Sequence, residues 1–294
     1  MVAAALAGAV ATAACGVGAG SSSPGDATLT VTRDYGTQTL ASARRSDPAE
    51  SETVMRLLDR GADIQTRYGG EFVQSIDGIE GSSAGSRRRD WFFYVNGIES
   101  AEGAGAVRVR GGDRVWWDYR DWTDVMRVPA VVGSWPQPFA AKPARAHVDC
   151  RGRRVACEAV AAALQDFGVH PERRSAEDRA GSMPRLIVGR WSAVRRDRLA
   201  RQVETGPDRS GVFADYRGGR FVGLDEQSRA ARRLSLGAGL VAALREGDGG
   251  PTWIVTGVRD SGVMNATGLL TEAALRNRYA VATESGRTIP LPVR

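Results

Sequence analysis

Between Asp90 and Phe139 the chain reads DWFFYVNGIES, then VRVRGGDRVWWDYRDW, then VPAVVGSWPQPF, and five of its seven tryptophans fall within these fifty residues. Alternation with a period of two places Phe92, Tyr94 and Asn96 on one face of a strand and Trp91, Phe93 and Val95 on the other. Val115, Trp117 and Tyr119 line up in the same way on a second strand, and Asn96-Gly97 and Gly111-Gly112-Asp113 supply turns. The segment reads as two aromatic strands linked by turns. In the second strand Trp116 and Trp122 fall out of phase with Val115, Trp117 and Tyr119, and are expected on the exposed face.

The elements before this segment are consistent with such a sheet. Residues Thr28 to Thr32 and Thr37 to Ala43 alternate as two strands around a turn at Arg33-Asp34-Tyr35-Gly36. A helix is predicted from Asp47 to Leu58, stopped by Gly61, and a further strand from Phe72 to Ile79 is followed by a loop from Gly81 to Arg89. The Trp-aromatic-aromatic-Val-Asn-Gly strand, the Ala/Gly-rich spacer and the later Gly-Asp-x-Val-Trp-x-x-Tyr resemble the transcobalamin C-terminal-like domain found in bacterial, actinobacterial-type lipoproteins of unknown function. The resemblance covers roughly residues 28 to 122. It implies a β-grasp-like fold and a ligand-binding or adhesive module, since animal relatives of that family form the smaller of two domains that close over cobalamin.

The expected fold class is α+β, a β-grasp-like N-terminal domain followed by a small α/β domain. Residues 1–14 read as a lipoprotein signal peptide, 15–27 as a flexible tether, 28–128 as the β-grasp domain, 129–146 as a Pro-rich connection and 147–294 as the α/β domain. Val131, Val132, Trp135 and Phe139 are too apolar for a free linker and should lie against one domain. In the second half the pattern predicts helices at 157–167, 192–203, 228–245 and 262–276. Strands are predicted at 186–189, 211–216, 252–258 and 279–283. PRLIVGRW and PTWIVTGV, each followed by a loop and a helix, suggest two βα units of one type.

Val2 to Ala14 are small or apolar and lead to Cys15 and a Gly/Ser-rich stretch, which predicts lipidation of Cys15 and attachment to the outer face of the cell membrane. The remaining cysteines, Cys150 and Cys157, form an even pair in an oxidising compartment and are expected to be disulfide-bonded. With only two histidines, no metal site is expected. The net charge of +6 comes from thirty-nine Arg and a single Lys, Lys142, spread over the whole chain. That spread reflects a GC-rich coding sequence more than a nucleic-acid footprint, so no nucleic-acid partner is expected.

No catalytic signature is present: there is no GxSxG, no Gly-rich loop ending in Lys and no HExxH. Asp118, Asp121 and Asp124 could pair as carboxylates but fit strand-end caps better. A binding role is expected instead, with Trp116, Asp118, Arg120 and Trp122 as the ligand surface of the first domain. In the second domain Arg190 and Arg259, after predicted strands, are candidates to receive an anionic group. Together these expectations describe a lipid-anchored ligand-capture protein, for a cobalamin-like molecule or another nutrient passed to a membrane transporter. Its rivals are an envelope scaffold that binds a protein and, behind it, an envelope hydrolase. An aromatic-lined pocket between the domains would favour capture, a flat aromatic surface the scaffold, and a buried acid on a polar cleft the hydrolase.

Overall fold

A computed structural model describes residues 21–67, 72–172, 181 and 183–294. The predicted signal peptide and Cys15, the predicted lipidation site, lie outside the described residues.

The first half is built around the hairpin of β1 (Asp26–Arg33) and β2 (Gln38–Ser46). A short helix, α1 (Val54–Asp59), follows, its first turn capped by the Thr53 hydroxyl, which accepts from the Arg56 amide at 3.2 Å. It begins later than predicted because the acidic stretch before it forms turns. Three short strands, β3 (Ile64–Arg67), β4 (Phe72–Ile76) and β5 (Ile79–Glu80), make a small sheet of their own. β6 (Ser82–Ala84) and β7 (Arg87–Val95) then form a hairpin where the sequence suggested a loop. β8 (Ile98–Glu99) and β9 (Arg114–Asp121) complete the half.

The main sheet has the order β2-β1-β9-β7-β6, with β8 beside β7, and β1 runs parallel to β9 at its centre. First and last strands paired in parallel, with a hairpin on one flank and a helix across one face, are the β-grasp arrangement expected from the sequence. The cross-strand register also follows the predicted alternation: Trp91 lies opposite Tyr119 and Phe93 opposite Trp117. Those rings pack with Leu29, Val31, Leu57 and Leu58 in one core cluster under α1. At the β7–β8 turn Asn96 and Gly97 have φ of 55° and 78°, the left-handed values an Asn-Gly hairpin turn requires.

The second half has a mixed sheet where the alternating pattern suggested a simpler α/β layout. Its strands are β10 (His147–Cys150), β11 (Arg185–Arg190), β15 (Gly239–Leu244), β16 (Thr252–Gly257), β17 (Ala280–Glu284) and β18 (Arg287–Leu291), in the order β10-β11-β16-β15-β17-β18. β10, β11 and β16 are parallel, and the other pairs are antiparallel. PRLIVGRW and PTWIVTGV do form neighbouring parallel strands, Arg185 opposite Thr252. The helices α2 (Arg154–Gln165) and α5 (Asp260–Thr267) contribute Val160, Leu164, Val263 and Ala266 to the core on one face. Towards the other face lie the one-turn α3 (Trp191–Val194), a 3-10 helix over Ala200–Thr205 and α4 (Pro207–Ser210). A small sheet of β12 (Ala214–Arg217), β13 (Arg220–Leu224) and β14 (Ala230–Arg233) lies there too, and α6 (Glu272–Leu275) precedes β17.

The largest departure is at 228–245, where a helix was expected and the chain forms β14 and β15. All six residues of β15 are buried. A strand covered on both faces shows no alternation, and its Leu and Ala content then mimics a helix until the neighbouring strands decide. The helices expected at 192–203 and 262–276 are likewise broken into shorter pieces, the second where Gly268 ends α5. Cys150 and Cys157 form the expected disulfide, with Cα atoms 5.8 Å apart, joining the end of β10 to the first turns of α2.

The Pro-rich segment is packed along its length rather than free. Val131, Val132, Trp135 and Phe139 are buried, Val131 in one core cluster and the other three in another. It is also bonded to the first half: the Val131 amide donates to Gly97 O, the Gln137 amide side chain to Gly112 O, and Arg114 to Trp135 O. A single core cluster contains Tyr35, Tyr94 and Trp116 of the first half together with Phe213, Leu240, Ile254 and Tyr279 of the second.

Candidate functional site

The four residues expected to form an exposed ligand surface lie in different surroundings. Trp116 is 2% exposed, and Asp118 and Arg120 are fully buried. β9 is central in its sheet, so its second face, which alternation left open for a ligand, is instead covered by the second half of the chain. Trp122 is half-buried beyond the end of β9, with the Arg88 guanidinium 5.3 Å from its ring centre. The expectation that Trp116 is exposed is corrected by this packing.

Within the contact between the halves these side chains form a polar node. Asp118 Oδ1 accepts from the Thr32 hydroxyl at 2.6 Å and the Gly36 amide at 3.0 Å, and its Oδ2 accepts from the Tyr279 hydroxyl at 2.9 Å. Trp116 Nε1 donates to the Thr32 hydroxyl at 2.7 Å. Arg120 donates to the carbonyls of Val125 and Met126, both at 2.8 Å, and its guanidinium lies 3.8 Å from the centre of the Phe92 ring. The Tyr35 hydroxyl donates to Asp121 O at 2.6 Å, and the Tyr35, Tyr94, Trp116 and Tyr279 rings meet mostly edge to face. Asp121 accepts from the amide and hydroxyl of Thr123, the strand-end cap expected for it.

Burial dominates the electrostatics of the node. It raises the Asp118 carboxyl to about 6 despite its three donors, and it pushes the Tyr94 and Tyr279 phenols above their ordinary range. Burial also raises Glu99, with Arg120 and Arg127 opposing. An acid whose folded value lies above the unfolded one contributes stability below about pH 4 that is lost as pH rises through 6. Against an unfolded value near 3.9, the loss is about 3 kcal/mol. Asp118→Asn, which cannot ionise, should therefore gain about 3 kcal/mol relative to the unaltered protein between pH 4 and pH 7. Paired urea titrations at the two pH values measure this, and a gap that does not change with pH contradicts it.

Beside the node, between the first sheet and the second half, lies a cleft of about 510 Å³. Its floor is the same face of β1, β2 and β9: Thr28 lies opposite Arg44 and Arg114, and Thr30 opposite Ser42 and Trp116. Its far wall is Gly133, Ser134, Glu272, Arg276 and Asn277. The hydroxyls of Thr28, Thr30 and Ser42 and the side-chain amide of Asn277 have no hydrogen-bond partner among the described residues, and the Ser134 hydroxyl is buried without one. Arg114 and Glu272 form an ion pair across the cleft. Of the four expected residues, only Trp116 reaches this cleft. The TLTVT alternation marked its polar floor, because Leu29 and Val31 claim the core and leave the threonines together. The wall comes from residues far away in sequence and had no local signal.

In the second half Arg190 and Arg259 do lie at or just beyond the carboxyl ends of β11 and β16. Arg190 is held by both oxygens of Asp260, which leaves its guanidinium engaged, whereas Arg259 is exposed. Among the described residues no group of three or more His, Cys, Asp or Glu is placed to hold a metal ion. No helix among them is long and apolar enough to cross a membrane.

No curated protein matches the chain. Among solved structures it is similar to a protein from Ruminococcus gnavus ATCC 29149 named "putative metal binding protein", at 18% identity over 33% of this chain and 97% of that one. The TM-score is 0.26, and this likeness carries no argument about function. Residues 51–121 match the profile of a domain of unknown function (DUF4430). The match runs from just before α1 to the end of β9, inside the stretch whose motifs resemble the transcobalamin C-terminal-like domain, so the first half of this chain carries a DUF4430 domain.

Proposed function

We propose that the protein is an extracytoplasmic, lipid-anchored ligand-binding protein that holds a small polar molecule in the cleft between its two halves and presents it to a membrane transporter. The observation that carries this reading is the cleft itself. At about 510 Å³ it has the size of ordinary small-molecule sites, both halves line it, and it displays hydroxyl and amide groups that the fold leaves unpaired. Of the two rings expected to line an aromatic pocket, Trp116 is packed between the halves and Trp122 is half-buried away from the cleft. This favours a compact polar ligand over a flat corrin macrocycle such as cobalamin. The hydrolase reading needs a buried acid on a polar cleft; Asp118 is buried but does not line this one, and the carboxylate that does, Glu272, is partly exposed and ion-paired with Arg114. The disulfide suits an oxidising compartment.

Two experiments test the reading. Ser42 is exposed on the edge strand, so Ser42→Trp should fill the cleft while changing stability by no more than about 0.5 kcal/mol. Mass spectrometry of small molecules retained by the purified protein should show a compound lost in that variant, and identical profiles would refute the cleft as the site. Cys15→Ala should move the protein from the membrane to the soluble fraction, and a variant that stays with the membrane refutes the anchor.

A further inference from the structure

Resting on the cleft reading above, we propose that the ligand is a monosaccharide carrying a carboxylate, a sugar acid of the uronate type. The floor supports the sugar part. Thr30 and Ser42 are directly opposite on paired strands, so their Cβ atoms are about 5 Å apart, and Thr28 lies two residues along on the same face, about 7 Å from Thr30. Three unpaired hydroxyls on that grid, faced by the Asn277 amide, present donors and acceptors at the scale of one pyranose ring. Groups of this kind favour ligands with matching hydroxyls, because a ligand lacking them would leave the protein's own polar groups unpaired on desolvation.

The walls supply the charge. Arg44, Arg114 and Arg276 line the cleft against one carboxylate, Glu272. Arg44 is held at the rim by Asp26 at 3.0 Å, and Arg114 is taken by Glu272 and Trp135 O. Arg276 approaches Glu272 only to 3.7 Å, beyond hydrogen-bond length, and its side chain is largely exposed. Ion-paired with Glu272 but not hydrogen-bonded to it, the Arg276 guanidinium can take a carboxylate through two parallel bonds, and this places the acid group of the ligand at the α6 end of the cleft.

The test is isothermal titration of the full chain with D-glucuronate, D-glucose and glucose 6-phosphate. Glucuronate should bind at least about tenfold more tightly than glucose, and Arg276→Gln should remove that advantage without altering glucose binding. Ser42→Ala and Thr30→Val should weaken both sugars by similar factors. Equal affinity for glucose and glucuronate overturns the carboxylate, and tighter binding of glucose 6-phosphate overturns it in favour of a phosphate. No binding of any probe overturns the sugar assignment; the cleft reading then still stands if Ser42→Trp changes the retained small molecules, and falls with it if that variant does not. Arg276 and Ser42 are both exposed, so these variants should melt with the unaltered protein, and the thermal melts are run alongside.

Discussion

Trp116→Ala should destabilise the protein by about 3–5 kcal/mol, the loss expected when a large ring is removed from a packed interior. Trp116 is 2% exposed, its ring packs against Tyr94 and Tyr279, and its indole N–H donates to Thr32. The truncation opens a cavity and removes the indole donor that fixes the Thr32 hydroxyl, itself a donor to Asp118. Trp117→Ala, on the opposite face under α1, should cost a similar amount, whereas Trp122→Ala should cost far less because that ring is only half-buried. Urea denaturation of the three variants measures the order. A Trp116→Ala variant as stable as Trp122→Ala would mean that the two halves are not packed as described.

Arg120→Ala is the second large effect, again about 3–5 kcal/mol, because removing one member of a buried charged network leaves the others without compensation. Among the described residues the guanidinium is the one donor to Val125 O and Met126 O, and it is a positive charge facing Asp118, Glu99 and the three phenols of the node. Without it, two carbonyls lose their partner, Asp118 keeps only its hydrogen bonds to offset burial, and Glu99 keeps only Arg127. The halves share one core cluster, so the unaltered protein should melt in one transition. Arg120→Ala should lower that transition or split it in two. A loss below about 1 kcal/mol would show that the charge is solvated in a way the enclosed geometry does not allow.

Much of the first half was legible because its pattern is local. TLTVT, the Asn-Gly turn and the aromatic alternation each follow from a period of two and turn chemistry, and the faces they predict are those the β7–β9 pairing brings together. The apolar residues of the Pro-rich segment were likewise a sound sign of packing. What alternation cannot tell is what covers a face. Trp116, Asp118 and Arg120 were correctly separated from Trp117 and Tyr119, yet their face meets Tyr279 and Phe213, more than ninety residues away in sequence, rather than solvent. The same limit hid the cleft, whose floor was visible in Thr28 and Thr30 and whose wall was not. β15 failed for a different reason, since a strand buried on both sides carries no period at all.

The sharing of one sheet face between the halves has an evolutionary consequence. A DUF4430 domain that lives without this second half would expose Phe92, Tyr94 and Trp116 to water as a contiguous apolar patch, a liability for association. In such relatives those positions should hold small or polar residues. In chains that retain the second half, position 118 should hold a carboxylate only where position 279 supplies a hydroxyl. Because Thr32, Trp116, Asp118 and Tyr279 bond to one another across the two halves, substitutions at these four positions should be correlated among relatives that carry both.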